Sequence, residues 1–291
     1  MIVDAHHHVW DPAARRHAWL DASPALNRAF GLAGFERASE PERVTASVLV
    51  QVLASTAETE EFLALAAGPG PVAGVVGWTD LTSPAVADEI ARLRALPGGS
   101  RLVGIRHLVQ DEPDPGWLWR PEVCRGIRAV GAAGLAYDLL VRPPQLPAAL
   151  AVTRELADVE FVLDHGAKPP IASGVLEPWA SGLGELAARP NVSCKVSGLV
   201  TEAGPGWRPA QVVPYIDRLV DAFGPGRLMF GSDWPVCTLA ASYAEVTALA
   251  RDALAARLGP ADLDAVFRAN AIATYRLGDG RRRVTGGESE H

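Results

Sequence analysis

The sequence predicts an α/β fold of the (β/α)8 barrel type, built as a single domain with a long loop after the first strand. Three observations predict it. Eight short runs rich in Val, Ile and Leu recur along the chain, the number that closes a parallel barrel. Longer Ala/Leu/Arg/Glu stretches of helical pattern separate them, the alternation expected of βα units. The length of 291 residues suits a fold that uses about 250.

The strand candidates are residues 2–9, 46–52, 72–81, 102–108, 135–141, 160–166, 192–198 and 227–233. Helix candidates at 57–67, 85–96, 121–133, 145–157, 177–188 and 209–223 mostly follow Pro, Ser or Thr, the residues that open helices. Gly68, Gly98, Gly134 and Gly224 fall just past four of them, where a left-handed cap is expected. Residues 11–45 carry Pro12, Pro24 and Pro41 with weak periodicity, and are read as a loop over the barrel mouth. Two further helices, 242–257 and 260–277, close the ring. The barrel thus occupies 1–277, and the polar, Gly-rich tail 278–291 is expected to be disordered. An open doubly wound sheet also takes eight parallel strands, but no G-x-G-x-x-G follows the first.

Composition removes several partners. A net charge of -7 with 21% charged residues provides no basic field for nucleic acid or anionic lipid. No apolar run approaches the roughly 20 residues of a membrane span. The N-terminus reaches its histidines too early for a secretory leader. Three widely spaced cysteines fit neither a disulfide framework nor a paired-cysteine zinc site, so the cytoplasm is the expected location. Assembly into a homo-oligomer stays open.

The chemistry concentrates at strand ends. Residues two apart on a strand share a face, so His6 and His8 project together, with Asp4 expected below them and His7 opposite. His165 ends the sixth strand and Asp233 the eighth, at the C-terminal rim where barrels carry their sites. Three imidazoles and a carboxylate make a candidate site for one divalent ion, Zn²⁺ or Mn²⁺, with positions open to water. Arg106 and His107 end the fourth strand. Arg106 either holds a substrate oxygen or carboxylate or pairs with a neighbouring acid. Gln51, Trp78, Asp80 and Asp138 lie near strand ends as candidate sugar contacts, and Trp10 and Trp234 flank the histidine and aspartate motifs. Only two of the 27 basic residues are lysine. Lys195 is the candidate for a substrate carbonyl or hydroxyl, and Lys168, before Pro169 and Pro170, for fixing a loop.

D-A-H-x-H near the N-terminus, G-I-R-H, L-D-H-x-x-K-P, C-K-x-S-G-L and G-S-D-W-P occur in that order. The set, spanning roughly 2–277, resembles the amidohydrolase superfamily, and within its amidohydrolase-2 branch the sugar-lactone hydrolases of the L-fuconolactonase and L-rhamnonolactonase type. The resemblance implies hydrolysis of an aldonolactone, with His6, His8, His165 and Asp233 as metal or water-activating residues and Asp233 as general base. Asp233 or His107 then protonates the departing ring oxygen, with Arg106 or Lys195 supporting the oxyanion. The fifth strand has no histidine and the rim no bridging lysine, which implies one metal rather than two. Metal-independent activity, with the four residues acting by hydrogen bonding alone, stays open. Two rivals remain: a decarboxylase of an aromatic or unsaturated acid on the same scaffold, and a non-catalytic barrel that binds a sugar acid.

Overall fold

The computed structural model describes residues 1–278; apart from Gly278, the expected tail lies outside them. Eight parallel strands run in sequence order: β1 Ile2–His7, β2 Val44–Val50, β3 Val72–Gly77, β4 Leu102–His107, β5 Ala136–Leu139, β6 Phe161–Leu163, β7 Val192–Val196 and β8 Leu228–Phe230. The barrel closes just past β8, where His8 N–H donates to the Trp234 carbonyl at 2.7 Å and Asp233 N–H to the His6 carbonyl at 2.8 Å. The helices are α1 Leu32–Ser39, α2 Thr56–Ala67, α3 Val86–Ala95, α4 Pro121–Ala132, α5 Leu146–Glu155, α6 Trp179–Ala187, α7 Leu199–Ala203, α8 Pro209–Phe223, α9 Tyr243–Ala255, α10 Pro260–Asp264 and α11 Asn270–Thr274.

All eight strands are shorter than predicted at their C-terminal ends. The residues beyond β6 and β8 leave the ladder in turns, and those turns carry the polar rim. The segment 260–277 is not one helix, since a π-helical turn at Ala265–Ala269 separates α10 from α11. Residues 11–45 are more ordered than a loop, holding α1 and short 3-10 turns. Gly98, Gly134 and Gly224 take the expected positive φ, but Gly68 caps α2 with φ -78°.

Two apolar layers hold the barrel. Val3, Ala5, Val48, Val50, Val76, Ala136, Val162 and Met229 fill its interior, with Tyr275 and Leu277 packed against them. A larger shell lies between strands and helices. β1 departs from simple alternation. Asp4 pairs with Ser47 and His7 with Leu49, three residues against two, which marks a bulge. Ala5 and His6 therefore both face inward. Asp4, expected beneath His6, points outward instead and accepts a hydrogen bond from Tyr243 of α9 at 2.9 Å.

Candidate active site

His6 from β1, His8 just beyond it, His165 after β6 and Asp233 after β8 meet inside the C-terminal rim, all buried. The tightest set is His6, His165 and Asp233, each offering a ligand atom within 4.8 Å of the others. His8 joins from the side, its Nε2 3.1 Å from His6 Nε2 and 3.5 Å from Asp233 Oδ1. Asp233 Oδ1 also lies 3.9 Å from His6 Nε2 and 4.0 Å from His165 Nε2.

Two of these residues are held in backbone conformations that non-glycine residues seldom adopt. His165 has φ 55° and Asp233 φ 57°, both left-handed, a placement that surrounding structure must enforce. Gly198 contributes to that enforcement, because a Cβ there would stand 2.5 Å from His165 Nδ1.

The far nitrogens of the rings are engaged, which aims the near ones at the cluster. His8 Nδ1–H donates to the Val50 carbonyl at 2.7 Å, and His165 Nδ1 shares a hydrogen bond with Ser197 Oγ at 2.8 Å. His6 Nδ1 lies 3.1 Å from Lys195 Nζ and 3.3 Å from Asp164 Oδ1. With its proton on Nδ1, directed at Asp164, His6 presents the lone pair of Nε2. Burial holds His165 down at about 4 and, with the nearby Lys195 ammonium, holds His6 well below the usual imidazole range. Both rings are then neutral near pH 7, the form a metal requires. Burial alone would raise Asp233, but the neighbouring His165, His8 and Lys168 side chains outweigh it and keep the carboxyl below its ordinary value.

The donor set fits a divalent ion. Metal–ligand bonds of about 2.0–2.1 Å would hold ligand atoms within about 4.2 Å of one another, and four of the pairs here lie 3.1 to 4.0 Å apart.

Beneath the cluster runs a buried chain of charges. Arg106 Nη1 donates to Asp164 Oδ2 at 2.9 Å, and Lys195 Nζ lies 2.9 Å from Asp164 Oδ1 and 2.6 Å from Asp138 Oδ2. Tyr275 Oη donates to Asp138 at 2.7 Å. Burial would raise Asp164, yet Lys195, His6 and Arg106 together pull it well below the ordinary range; Asp138 stays raised, at about 6.

A cavity of about 400 Å³ opens onto the cluster, lined among others by Trp10, Trp19, Arg106, Gln110, His165, Lys168 and Asp233. The structure thus brings His6, His8, His165, Asp233 and Arg106 together at one cavity. Other candidates sit elsewhere. Lys195 and Asp138 are fully buried below the cluster, bonded to each other rather than open to a ligand. Gln51 is also buried, its Oε1 accepting from Arg106 at 3.0 Å, so it orients the guanidinium. Trp234 packs on Phe30 and Phe35 outside the barrel. Lys168 lines the cavity and lies 3.6 Å from Glu202.

His107 is not at the cluster. β4 runs through both residues, and alternation turns His107 outward where Arg106 turns in. Its ring stacks on Trp117 at 4.2 Å, Nδ1 accepts from Trp78 Nε1 at 3.0 Å, and Nε2 is 2.7 Å from Glu112. Trp78 is occupied by the same bond. Replacing His107 by Phe, which keeps the stacking, should therefore lower stability but leave kcat/KM far from the roughly 10²–10⁴-fold loss of a missing general acid; steady-state kinetics beside a melting curve checks this.

Asp164 and Ser197 contact the His6 and His165 rings and are not among the candidates read from the sequence. Asp164 had a signal, an acid directly before His165, but its link to Arg106 and Lys195 needs three strands brought together.

Residues 3–277 match the amidohydrolase family. This chain belongs to the amidohydrolases. It is 40% identical over 279 residues to an L-fucono-1,5-lactonase of Burkholderia ambifaria, covering 94% of this chain and 95% of that one. An L-fucono-1,5-lactonase of Burkholderia multivorans is 38% identical, with 94% and 96% covered. A crystal structure of a Burkholderia multivorans amidohydrolase with bound Zn superposes with a TM-score of 0.90 at 37% identity, over 96% of this amidohydrolase and all of that chain.

Proposed function

We propose that this amidohydrolase opens a sugar-acid lactone by attack of water on the ester carbonyl. The observation that carries the reading is the Asp233 carboxylate, kept ionised and facing the imidazoles of His6, His8 and His165 at the floor of a cavity that also holds the Arg106 guanidinium. The lactonase names of relatives at 38–40% identity support lactone opening over decarboxylation or mere binding.

Asp233 takes a proton from the attacking water as its oxygen bonds to the carbonyl carbon. Arg106, fixed by Gln51 and Asp164, donates toward the oxyanion that develops. Collapse of the tetrahedral adduct breaks the ring C–O bond, and the proton held on Asp233 passes to the departing ring oxygen, giving the hydroxy acid. A divalent ion, Zn²⁺ or Mn²⁺, held by His6, His8, His165 and Asp233 would supply a lowered water pKa and a polarised carbonyl. Lys195, set below, acts by holding Asp164 and His6.

The test is acid release from L-fucono-1,5-lactone and a panel of other aldonolactones, followed with a pH indicator. Opening faster than the spontaneous rate is expected; no acceleration with any lactone overturns the reading. Dialysis against a strong chelator should remove most of the turnover, and Zn²⁺ or Mn²⁺ should restore it. Undiminished activity in a chelated, metal-free protein would leave the hydrolase but assign water activation to the four side chains alone.

A further inference from the structure

Behind Trp10, away from the active cavity, a second cleft of about 310 Å³ lies between residues 9–32 and α2. Its floor holds His17 and Glu58, whose side chains are each 3% exposed. His17 Nδ1–H donates to the Arg15 carbonyl at 2.7 Å, so Nε2 carries the lone pair. That Nε2 is buried with no hydrogen-bond partner among the described residues and lies 3.9 Å from Glu58 Oε1. Glu58 Oε2 is already engaged, accepting from Val52 N–H at 2.7 Å and Leu53 N–H at 2.9 Å. Two acceptors thus face each other, too far apart to bond directly, at the spacing one donor nitrogen bridges.

The walls select the class of donor. Trp10, Phe30 and Phe62 line the cleft, with Asp11 and Glu61 also contributing. Arg15, the cation beside it, is paired to Glu61 at 2.7 Å. We propose that the cleft binds a small organic ammonium ion, its nitrogen between His17 Nε2 and Glu58 Oε1 and its apolar body against Trp10, Phe30 and Phe62. A buried carboxylate favours a cation over a neutral hydroxyl. Glu58 is pushed up to about 7, first by burial, which a bound cation would relieve. The cleft also adjoins the active site through the chain. Glu58 holds the N–H groups of Val52 and Leu53, and Gln51 beside them accepts from Arg106.

The site is independent of the lactonase reading and is tested by binding to the full chain. Benzylamine titrated by calorimetry should bind saturably and shift the His17 ring nitrogens in NMR spectra, with benzyl alcohol at least about tenfold weaker. Glu58→Gln, which keeps an acceptor for the two N–H groups, should weaken benzylamine at least about tenfold. Asp233→Asn should leave its binding unchanged, separating this cleft from the active cavity. Should Glu58→Gln fail to fold, His17→Phe carries the same expectation. No saturable binding, equal affinity for the alcohol, or full affinity in the floor variants overturns the proposal.

Discussion

Asp233→Asn should lower kcat for lactone opening by about 10²–10⁴-fold with little change in KM. The carboxylate is the acceptor for the water's proton, and an amide of the same shape cannot take it. Loss of an interaction used only in the transition state appears in kcat rather than in substrate binding. The substitution is also structurally mild. Position 233 has φ 57°, and Asn is among the few residues that enter this region readily, so the melting temperature should hold. Metal content measured on the same preparation separates two sources of the loss. A variant that retains its ion but not its turnover has lost the base; one that loses both has lost a ligand. Turnover within about tenfold of the parent would remove Asp233 from the role.

Much of this site could be read from the chain because a parallel barrel converts strand order into position. His165 and Asp233 stand at the ends of two runs of apolar residues, and every strand end of such a barrel arrives at one rim. Period-two alternation likewise separates Arg106 from His107, provided the strand is known to continue through both. What failed depends on register and on distance along the chain. The bulge in β1 puts Ala5 and His6 on one face and sends Asp4 to Tyr243, and no residue between 4 and 7 announces it. Lys195 and Asp138 read as substrate contacts in the sequence because both lie on strands beside rim motifs. Their height in the barrel follows from how β5 and β7 are staggered, which places them under the cluster, paired to each other. The 11–45 segment reads as a loop because its prolines break helical periodicity; α1 forms in the stretch between Pro24 and Pro41.

That misplacement of Lys195 leads to the largest stability effect expected here. Lys195→Met should destabilise the protein by about 3–5 kcal/mol, because it leaves Asp138 and Asp164, both fully buried, short of the cation they share at 2.6 and 2.9 Å. For a chain of this size the melting temperature should fall by about 6–20 °C. The two acids are not left equally exposed to the loss. Asp164 keeps Arg106 at 2.9 Å, whereas Asp138 keeps, among the described residues, only the Tyr275 hydroxyl. Adding Asp138→Asn to Lys195→Met should therefore recover part of the lost stability, a coupling that independent sites would not show. Turnover should not recover with it, since Asp164 and His6 still lack the ammonium that fixes them. If Lys195→Met melts with the parent, the buried chain of charges is not what holds the floor of the site. If the double variant melts lower than the single one, Asp138 is stabilised by something other than Lys195.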